Sequence, residues 1–255
     1  MTPAQTHVDI RELRRLADEF AARLAEVKRA ADPSPSFWYP YGTLGNFALL
    51  DRTLRGGNRF LLDLAEGRRV ADIGAADGDL AFFLEQRLGM GVTIVDHAQT
   101  NFNSLRGARL LKEALSSSVE IFDVDLDRFH QLPDQSYGLA FLLGTLYHLK
   151  NPYYALESLA RCARHVVLST RVARFTPDKR TALRGIPVAY LLHETEANND
   201  PTNYWIFSEA GLQRLFRRTG WEILDFATFG DTKRSDPAAQ DADERAFCLL
   251  RSRLA

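Results

Sequence analysis

With 255 residues, 45% of them hydrophobic, the chain is long enough for one large α/β domain or for a domain with an appendage. A formal net charge of −1 and an isoelectric point near 6.6 remove any overall demand for a nucleic-acid or membrane partner. The two cysteines, Cys162 and Cys248, sit in apolar surroundings and are expected as buried thiols of a reducing compartment. Near the N-terminus Leu13, Leu16 and Phe20 are interleaved with charge, unlike a signal peptide or a membrane span, so the expected location is cytoplasmic.

In chain order, Ile10, Leu13, Leu16, Phe20, Leu24 and Val27 recur at spacings of three and four, which predicts a helix over 9–30. The run Asp32-Pro33-Ser34-Pro35-Ser36 breaks it, and an aromatic cluster from Phe37 to Tyr41 follows. A second helical stretch is expected over 47–64. From there strands at 69–73, 92–95, 119–124, 138–143 and 165–170 alternate with helices at 79–88, 103–115 and 152–164, the last with Asn151 as cap and Pro152 at its first position. Such alternation implies a parallel sheet covered on both faces. Residues 172–205 lose the rhythm; Pro177, Gly185, Pro187, Asn198, Asn199 and Pro201 mark a lid or binding loop. A helix from Ser208 to Arg218 closed by Gly220, then strands at 221–227 and 245–252 as an antiparallel pair, complete the chain. The expectation is a doubly wound, mostly parallel, seven-stranded α/β sheet. It divides into an N-terminal helical cap (1–66) and a main domain (67–255) with 172–205 inserted.

The segment Asp72-Ile73-Gly74-Ala75-Ala76-Asp77-Gly78 joins the first of those strands to its helix. Glycines there let the backbone approach a ligand, and the helix start offers unpaired N–H groups. Twenty-four residues after Asp72 the next strand ends in Asp96, placed for the hydroxyls of a ribose. A pyrophosphate wants bare N–H donors, whereas Asp72 and Asp77 put two negative charges at this turn. Those charges suit a cationic or zwitterionic ligand, and S-adenosyl-L-methionine carries an ammonium, a sulfonium and a carboxylate but no phosphate. The chain also has no Tyr-x-x-x-Lys pair, so hydride transfer of the short-chain dehydrogenase kind lacks its residues.

The cofactor site is therefore expected from Asp72, Gly74, Ala76, Asp77 and Gly78 at the turn, and from Asp96 and His97 after the second strand. Asp125 and Leu126 after the third strand would hold the adenine, with Asp123 or Asp127 as alternatives for the acid. Leu143, Gly144 and Tyr147 after the fourth strand would face the sulfonium. Methyl transfer is an in-line displacement in which a hydroxyl acceptor must lose a proton. His148 is the candidate base, with a loop-fixing histidine as the equal alternative, and Tyr147 either lines the cofactor or points its hydroxyl at the acceptor. Trp38, Tyr41, Arg171 and Trp205 are the expected acceptor contacts. The group His193, Glu194, Glu196 and Asp200 reads as a solvated loop, and no metal is expected. Arg171, Arg174, Lys179, Arg180 and Arg184 stand against Asp178 alone and read as a solvated basic face that could meet phosphates.

On the motifs Asp72-Ile73-Gly74-x-x-x-Gly78 and Gly144-Thr145-Leu146-Tyr147-His148-Leu149-x-Asn151-Pro152, residues 37–229 resemble class I S-adenosylmethionine-dependent methyltransferases. Within that class the chain looks most like the branch around tRNA wobble-uridine carboxymethyltransferases. The resemblance implies that Tyr147 lies in the pocket for a carboxylated cofactor. The lysines that bind the extra carboxylate in that branch are missing here, since no lysine occurs between Lys28 and Lys112. Plain S-adenosyl-L-methionine and a small-molecule acceptor, a hydroxyl of a secondary metabolite or sugar, are the expectation. A tRNA modifier and a non-catalytic cofactor-binding partner protein are the alternatives.

Overall fold

The computed structural model describes residues 7–128, 132, 136–197, 199–239 and 241–255; Asn198 of the irregular segment lies outside them. Helix α1 (Ile10–Ala31) starts where Asp9 accepts a hydrogen bond from the Arg11 N–H and buries Ile10, Leu13, Ala17, Phe20 and Leu24 on one stripe. The second helical stretch is a correction to the sequence expectation. Only α2 (Asn46–Thr53) is α-helical, because Leu54 is extended and Gly56 has a φ of 50°; single turns of 3₁₀ helix occupy Gly56–Arg59 and Leu61–Ala65.

The α/β alternation follows: β1 (Val70–Ile73), α3 (Asp79–Leu88), β2 (Val92–Asp96), α4 (Arg106–Ala114), β3 (Glu120–Asp123), β4 (Tyr137–Leu143), α5 (Pro152–Cys162) and β5 (Ala163–Ala173). Helix α4 begins three residues later than expected because Ser104 and Leu105 take left-handed conformations, and the Asn103 side chain caps the helix by accepting from the Gly107 N–H. At α5, Pro152 holds its expected position, but the Asn151 side chain makes no capping bond; its N–H instead donates to Asp127 at 2.8 Å.

The segment expected to be irregular contributes two short strands, β6 (Ala189–Leu191) and β7 (Trp205–Ser208). Then come α6 (Glu209–Arg218), capped by Ser208, β8 (Trp221–Gly230) and β9 (Glu244–Ser252). Strands β1 to β5 are parallel in the order β3-β2-β1-β4-β5. The sheet continues through β9, antiparallel to β5, and β8, antiparallel to β9, which completes the expected seven strands. Among the described residues the sheet has nine strands, since β7 pairs with Val172 and Ala173 of β5, and β6 pairs with β7. With β9 on one edge of β5 as far as Val172, and β4 leaving the other edge after Ser169, β7 takes the edge that β4 vacates. That exchange brings the hairpin to the C-terminal end of β4.

One hydrophobic core lies on each face of the sheet. Phe83 of α3 packs between Phe20 and Phe47, with ring centroids 5.8 and 5.4 Å away, so α1, α2 and α3 share one core with β1, β2 and β4. On the opposite face Leu156, Leu159, Phe216 and Trp221 cover Ala71, Ala140 and Val166. Fully burying one such side chain contributes about 1.5–3 kcal/mol, so the strand ends that carry the site rest on rigid elements. Cys162 and Cys248 are both buried. Among the described residues no helix is long and apolar enough to cross a membrane.

Candidate active site

The turn between β1 and α3 is built from left-handed residues: Gly74 (φ 69°), Ala76 (φ 54°) and Gly78 (φ 80°). Ala76 adopts this conformation at a cost because its neighbours hold it. Its N–H donates to Asp96 Oδ2 at 3.0 Å, and its carbonyl accepts from Asn101 Nδ2 at 3.1 Å. A Cβ on Gly74 would collide with the Thr145 side chain, so this glycine lets the loop after β4 close against the turn.

Asp96 ends β2 with its carboxylate held by three donors, the N–H groups of Ala76 and His97 and the Asn101 amide. Burial pushes its carboxyl above the ordinary carboxylate range while those bonds pull it back. Asp72 lies beneath the turn, accepts from the Ala81 N–H at 3.2 Å, and is pushed by burial up to about 7. The expected side-chain role of Asp77 needs correction. At 2% exposure its carboxylate is consumed by Lys28 Nζ (3.1 Å), the Tyr39 N–H (2.8 Å) and Asn103 Nδ2 (2.7 Å), so it can offer a ligand only its backbone.

After β3, Asp125 Oδ1 accepts from the Asp127 N–H, and Oδ2 lies 3.4 Å from Arg128 Nε. Asp123 accepts from the Ala98 N–H and Asp127 from the Asn151 N–H, so among the described residues Asp125 is the acid of the three whose partners all lie in its own turn. Leu126 is buried against α5 and β4, a packing position that leaves it only backbone groups for a ligand.

Beyond β4, Gly144 (φ 75°) has an open face: a Cβ there would meet only Tyr147 Oη and Arg245 Nη1, at 3.7 and 3.9 Å. Leu143 is half-buried at the strand end. Tyr147 is buried beneath the hairpin, its carbonyl accepting from the Tyr204 N–H at 2.8 Å, and its hydroxyl lies 3.4 Å from Arg245 Nη1. His148 stacks obliquely on Tyr147 at 4.3 Å. Burial and the Arg245 cation hold its imidazole below the ordinary value, against the opposing pull of Asp200.

Three of the four expected acceptor contacts need correction. Trp38 is buried, its ring under Lys28 Nζ at 5.3 Å and its indole N–H bonded to the Asp32 carbonyl. Arg171 is 4% exposed and locked against Asp243 at 2.6 Å and the Ala239 carbonyl at 3.0 Å. Trp205 packs on the α6 side, beside Lys150, Tyr153 and Tyr154, whereas its neighbour Ile206 joins Tyr147; alternation along β7 points the two to opposite faces. Tyr41 is 69% exposed at the rim, edge-on to Tyr39.

Two residues that the sequence reading did not single out complete the constellation. Tyr39 lies within electrostatic range of Asp96, Tyr147 and Arg245, and burial pushes its hydroxyl up to about 12. Its ring is edge-on to Tyr41 and Phe102, with centroids 5.4 and 6.0 Å away. Its position inside the aromatic cluster was visible, but the bond from its N–H to Asp77 was not. Arg245 stands opposite Arg171 in the β5–β9 register, and both arginines share Asp243. Only strand pairing could have revealed it. Three cations of the basic face are paired, Arg171 with Asp243, Arg174 with Glu244 and Lys179 with Asp236, while Arg180 and Arg184 stay exposed. Among the described residues no group of histidine, cysteine and acidic side chains has the geometry of a metal site.

A family profile described as a methyltransferase domain matches residues 47–225. Among solved structures, the N-terminal domain of EvdMO1 with SAH bound superposes with a TM-score of 0.57 at 18% identity, covering 98% of this chain and 99% of that one. The [4+2]-cyclase SpnF matches with a TM-score of 0.53 at 16% identity over 91% of this chain and 93% of its own. TehB from Haemophilus influenzae gives 0.52 at 17% identity over 82% and 66%. At these identities the structural likeness speaks for the fold. No curated protein matches the sequence.

Proposed function

This chain belongs to the methyltransferase domain family, and on that premise we propose that it moves a methyl group from S-adenosyl-L-methionine to a hydroxyl of a small molecule. The observation that carries this reading is the pairing of the left-handed 74–78 turn with Asp96 at the adjoining strand end. The donor set fits that cofactor. Two buried carboxylates, Asp72 and Asp96, suit an ammonium and a ribose, and Lys28, the cation bound at the turn, is already spent on Asp77 and Asp79. A diphosphate would meet acids where it needs donors. The EvdMO1 domain, which has the same fold and holds SAH, supports the assignment.

In this reading Asp96 takes the ribose, the 74–78 turn takes the methionine end, and Asp125 reaches the adenine amino group. Gly144 and Tyr147 border the reacting carbon. The cofactor supplies a methyl group on a sulfonium, so the protein needs only to hold the acceptor in line and remove its proton. His148 serves as that base. Residues 172–205 wall the acceptor side, since Leu183, Leu192 and Ala197 pack with Tyr147. Pairing of Arg171, Arg174 and Lys179 with Asp243, Glu244 and Asp236 favours a small molecule over tRNA, the alternative suggested by the wobble-uridine resemblance.

Titration calorimetry with S-adenosylhomocysteine tests the class. Saturable binding is expected, with a rise in melting temperature as ligand is added. Binding of NAD with no response to S-adenosylhomocysteine would overturn it, and salt-sensitive affinity for bulk tRNA would replace the small-molecule acceptor.

A further inference from the structure

We infer that Asp200 and Thr202, on the loop leading into β7, position His148 by fixing its proton on Nδ1 and leaving Nε2 as the basic nitrogen. The inference rests on the base reading of His148 given above and adds the residues that make the base competent. His148 Nδ1 lies 3.1 Å from the Thr202 carbonyl oxygen and 3.0 Å from Thr202 Oγ1. A carbonyl only accepts, so Nδ1 must carry the hydrogen. The Thr202 hydroxyl cannot supply a competing proton, because it donates to Asp200 Oδ1 at 2.6 Å, and the Thr202 N–H donates to the same oxygen at 2.9 Å. One carboxylate thus orients one hydroxyl, which accepts from one ring nitrogen.

The groups facing the imidazole balance each other. Asp200 favours the charged ring, Arg245 and burial favour the neutral one, and the Tyr147 ring covers a face. The net result is a neutral histidine near physiological pH, the form a base requires. In the transfer the acceptor O–H bond breaks and its proton passes to Nε2. The oxygen forms the new O–C bond as the S–C bond breaks, and that electron pair stays on sulfur. The imidazolium so formed gives Nε2–H back to solvent, while Nδ1–H keeps its partners throughout. Sequence offered no route to this chain of contacts, which joins residues more than fifty positions apart.

Long-range proton–nitrogen correlation NMR on ¹⁵N-histidine protein tests this without any acceptor. The signals of His148 are assigned by their loss in His148→Gln. The expected spectrum above the midpoint of its titration shows a protonated Nδ1 and a pyridine-type Nε2. Thr202→Ser should preserve that pattern, and Thr202→Val, which keeps the carbonyl acceptor but loses the hydroxyl, should move both shifts only part of the way toward a tautomer average. Asp200→Asn, which leaves the Thr202 carbonyl in place, should lower the His148 midpoint. A protonated Nε2 in the wild-type protein overturns the inference, as does an Asp200→Asn spectrum and midpoint identical to wild type. The expected tautomer together with unaltered turnover in His148→Gln would instead overturn the base reading.

Discussion

Lys28 of α1 sets its ammonium 3.1 Å from Asp77 Oδ2, in the turn between β1 and α3, so the N-terminal helix is bonded directly to the cofactor turn. The same ammonium lies 2.8 Å from Asp79 Oδ1, the first residue of α3. Asp77 and Asp79 crowd each other, and burial raises the Asp79 carboxyl while Lys28 pulls it back. Removing the lysine leaves two acids in a place where ionisation is costly. Lys28→Met should therefore destabilise the protein by about 3–5 kcal/mol, the range for breaking a buried pair. Adding Asp77→Asn should recover part of that loss. Denaturant unfolding measures both, and an unchanged midpoint in the single variant would refute the pairing as a structural element.

Asp96 carries two duties that can be separated. Its oxygens hold the strained Ala76 through the peptide N–H, and in the proposed function they also bind the ribose hydroxyls. Asp96→Asn keeps the side-chain shape but removes the charge. Affinity for S-adenosylhomocysteine should fall by about 1–3 kcal/mol, the scale of a hydrogen bond to a charged group. Asn101→Ala removes only the neighbouring amide and should weaken binding less. If calorimetry finds Asp96→Asn equal to wild type, the ribose lies elsewhere.

The α/β alternation was legible because each strand is a short apolar run and each helix has a stripe, signals that depend only on neighbours in sequence. The β1–α3 boundary was read correctly at Asp79 because Gly78, with its positive φ, makes a sharp start. Strands β6 and β7 were not legible. They have three and four residues, and they exist because β4 frees an edge of β5, a fact of the sheet rather than of the segment. The positions of the candidate residues divide in the same way. That Asp72, Asp96, Gly144 and Tyr147 lie in or just after strand ends was legible from the apolar runs. The position of Arg245 was not, since only the antiparallel register with β5 sets it across from Arg171. Trp38 misled because an aromatic cluster does not reveal which ring turns inward; Lys28 and the Asp32 carbonyl fix Trp38 in the core, whereas Tyr39 stands edge-on to Tyr41 and Phe102.

Asp72 gives the protein a pH signature. Its carboxyl, ordinarily near 3.8, is pushed up to about 7 by burial, with Asp96 and Asp79 adding to the effect. The native state then holds this proton more tightly than the unfolded chain. The stability contributed by the protonated carboxyl is present below about pH 4 and is lost as pH rises through about 7. Asp72→Asn can still accept from the Ala81 N–H but does not titrate. Between about pH 5 and about pH 8 the wild-type protein should lose more stability than the variant, by an amount on the order of 1 kcal/mol or more. Binding of the cofactor's ammonium near the turn should also expel the proton. Calorimetry near neutral pH in buffers of different ionisation enthalpy should show proton release in wild type and less in Asp72→Asn. A buffer-independent enthalpy would contradict the placement of the ammonium.

His148 carries the most demanding prediction. It follows β4 directly, its ring rests on Tyr147, and Tyr147 in turn touches Arg245 at the open face of Gly144. None of these contacts involves the turn or Asp96, so loss of the His148 ring should leave the ribose and methionine ends of the proposed cofactor site in place. His148→Gln should leave the affinity for S-adenosylhomocysteine within about a factor of two, since less than 0.5 kcal/mol of it should pass through this ring. Turnover should fall by about 10²–10⁴-fold, the usual worth of a positioned base. The acceptor needed for that assay can be sought by mass spectrometry of small molecules retained by the purified protein. With a hydroxyl acceptor, the wild-type rate should rise with pH through the His148 midpoint, which burial and Arg245 hold below the ordinary imidazole value. The variant should lose that limb of the profile. A variant that keeps both its rate and its limb would mean that transfer proceeds by positioning alone. One that loses the cofactor as well would make the Tyr147–His148 block a packing element of the β4 loop.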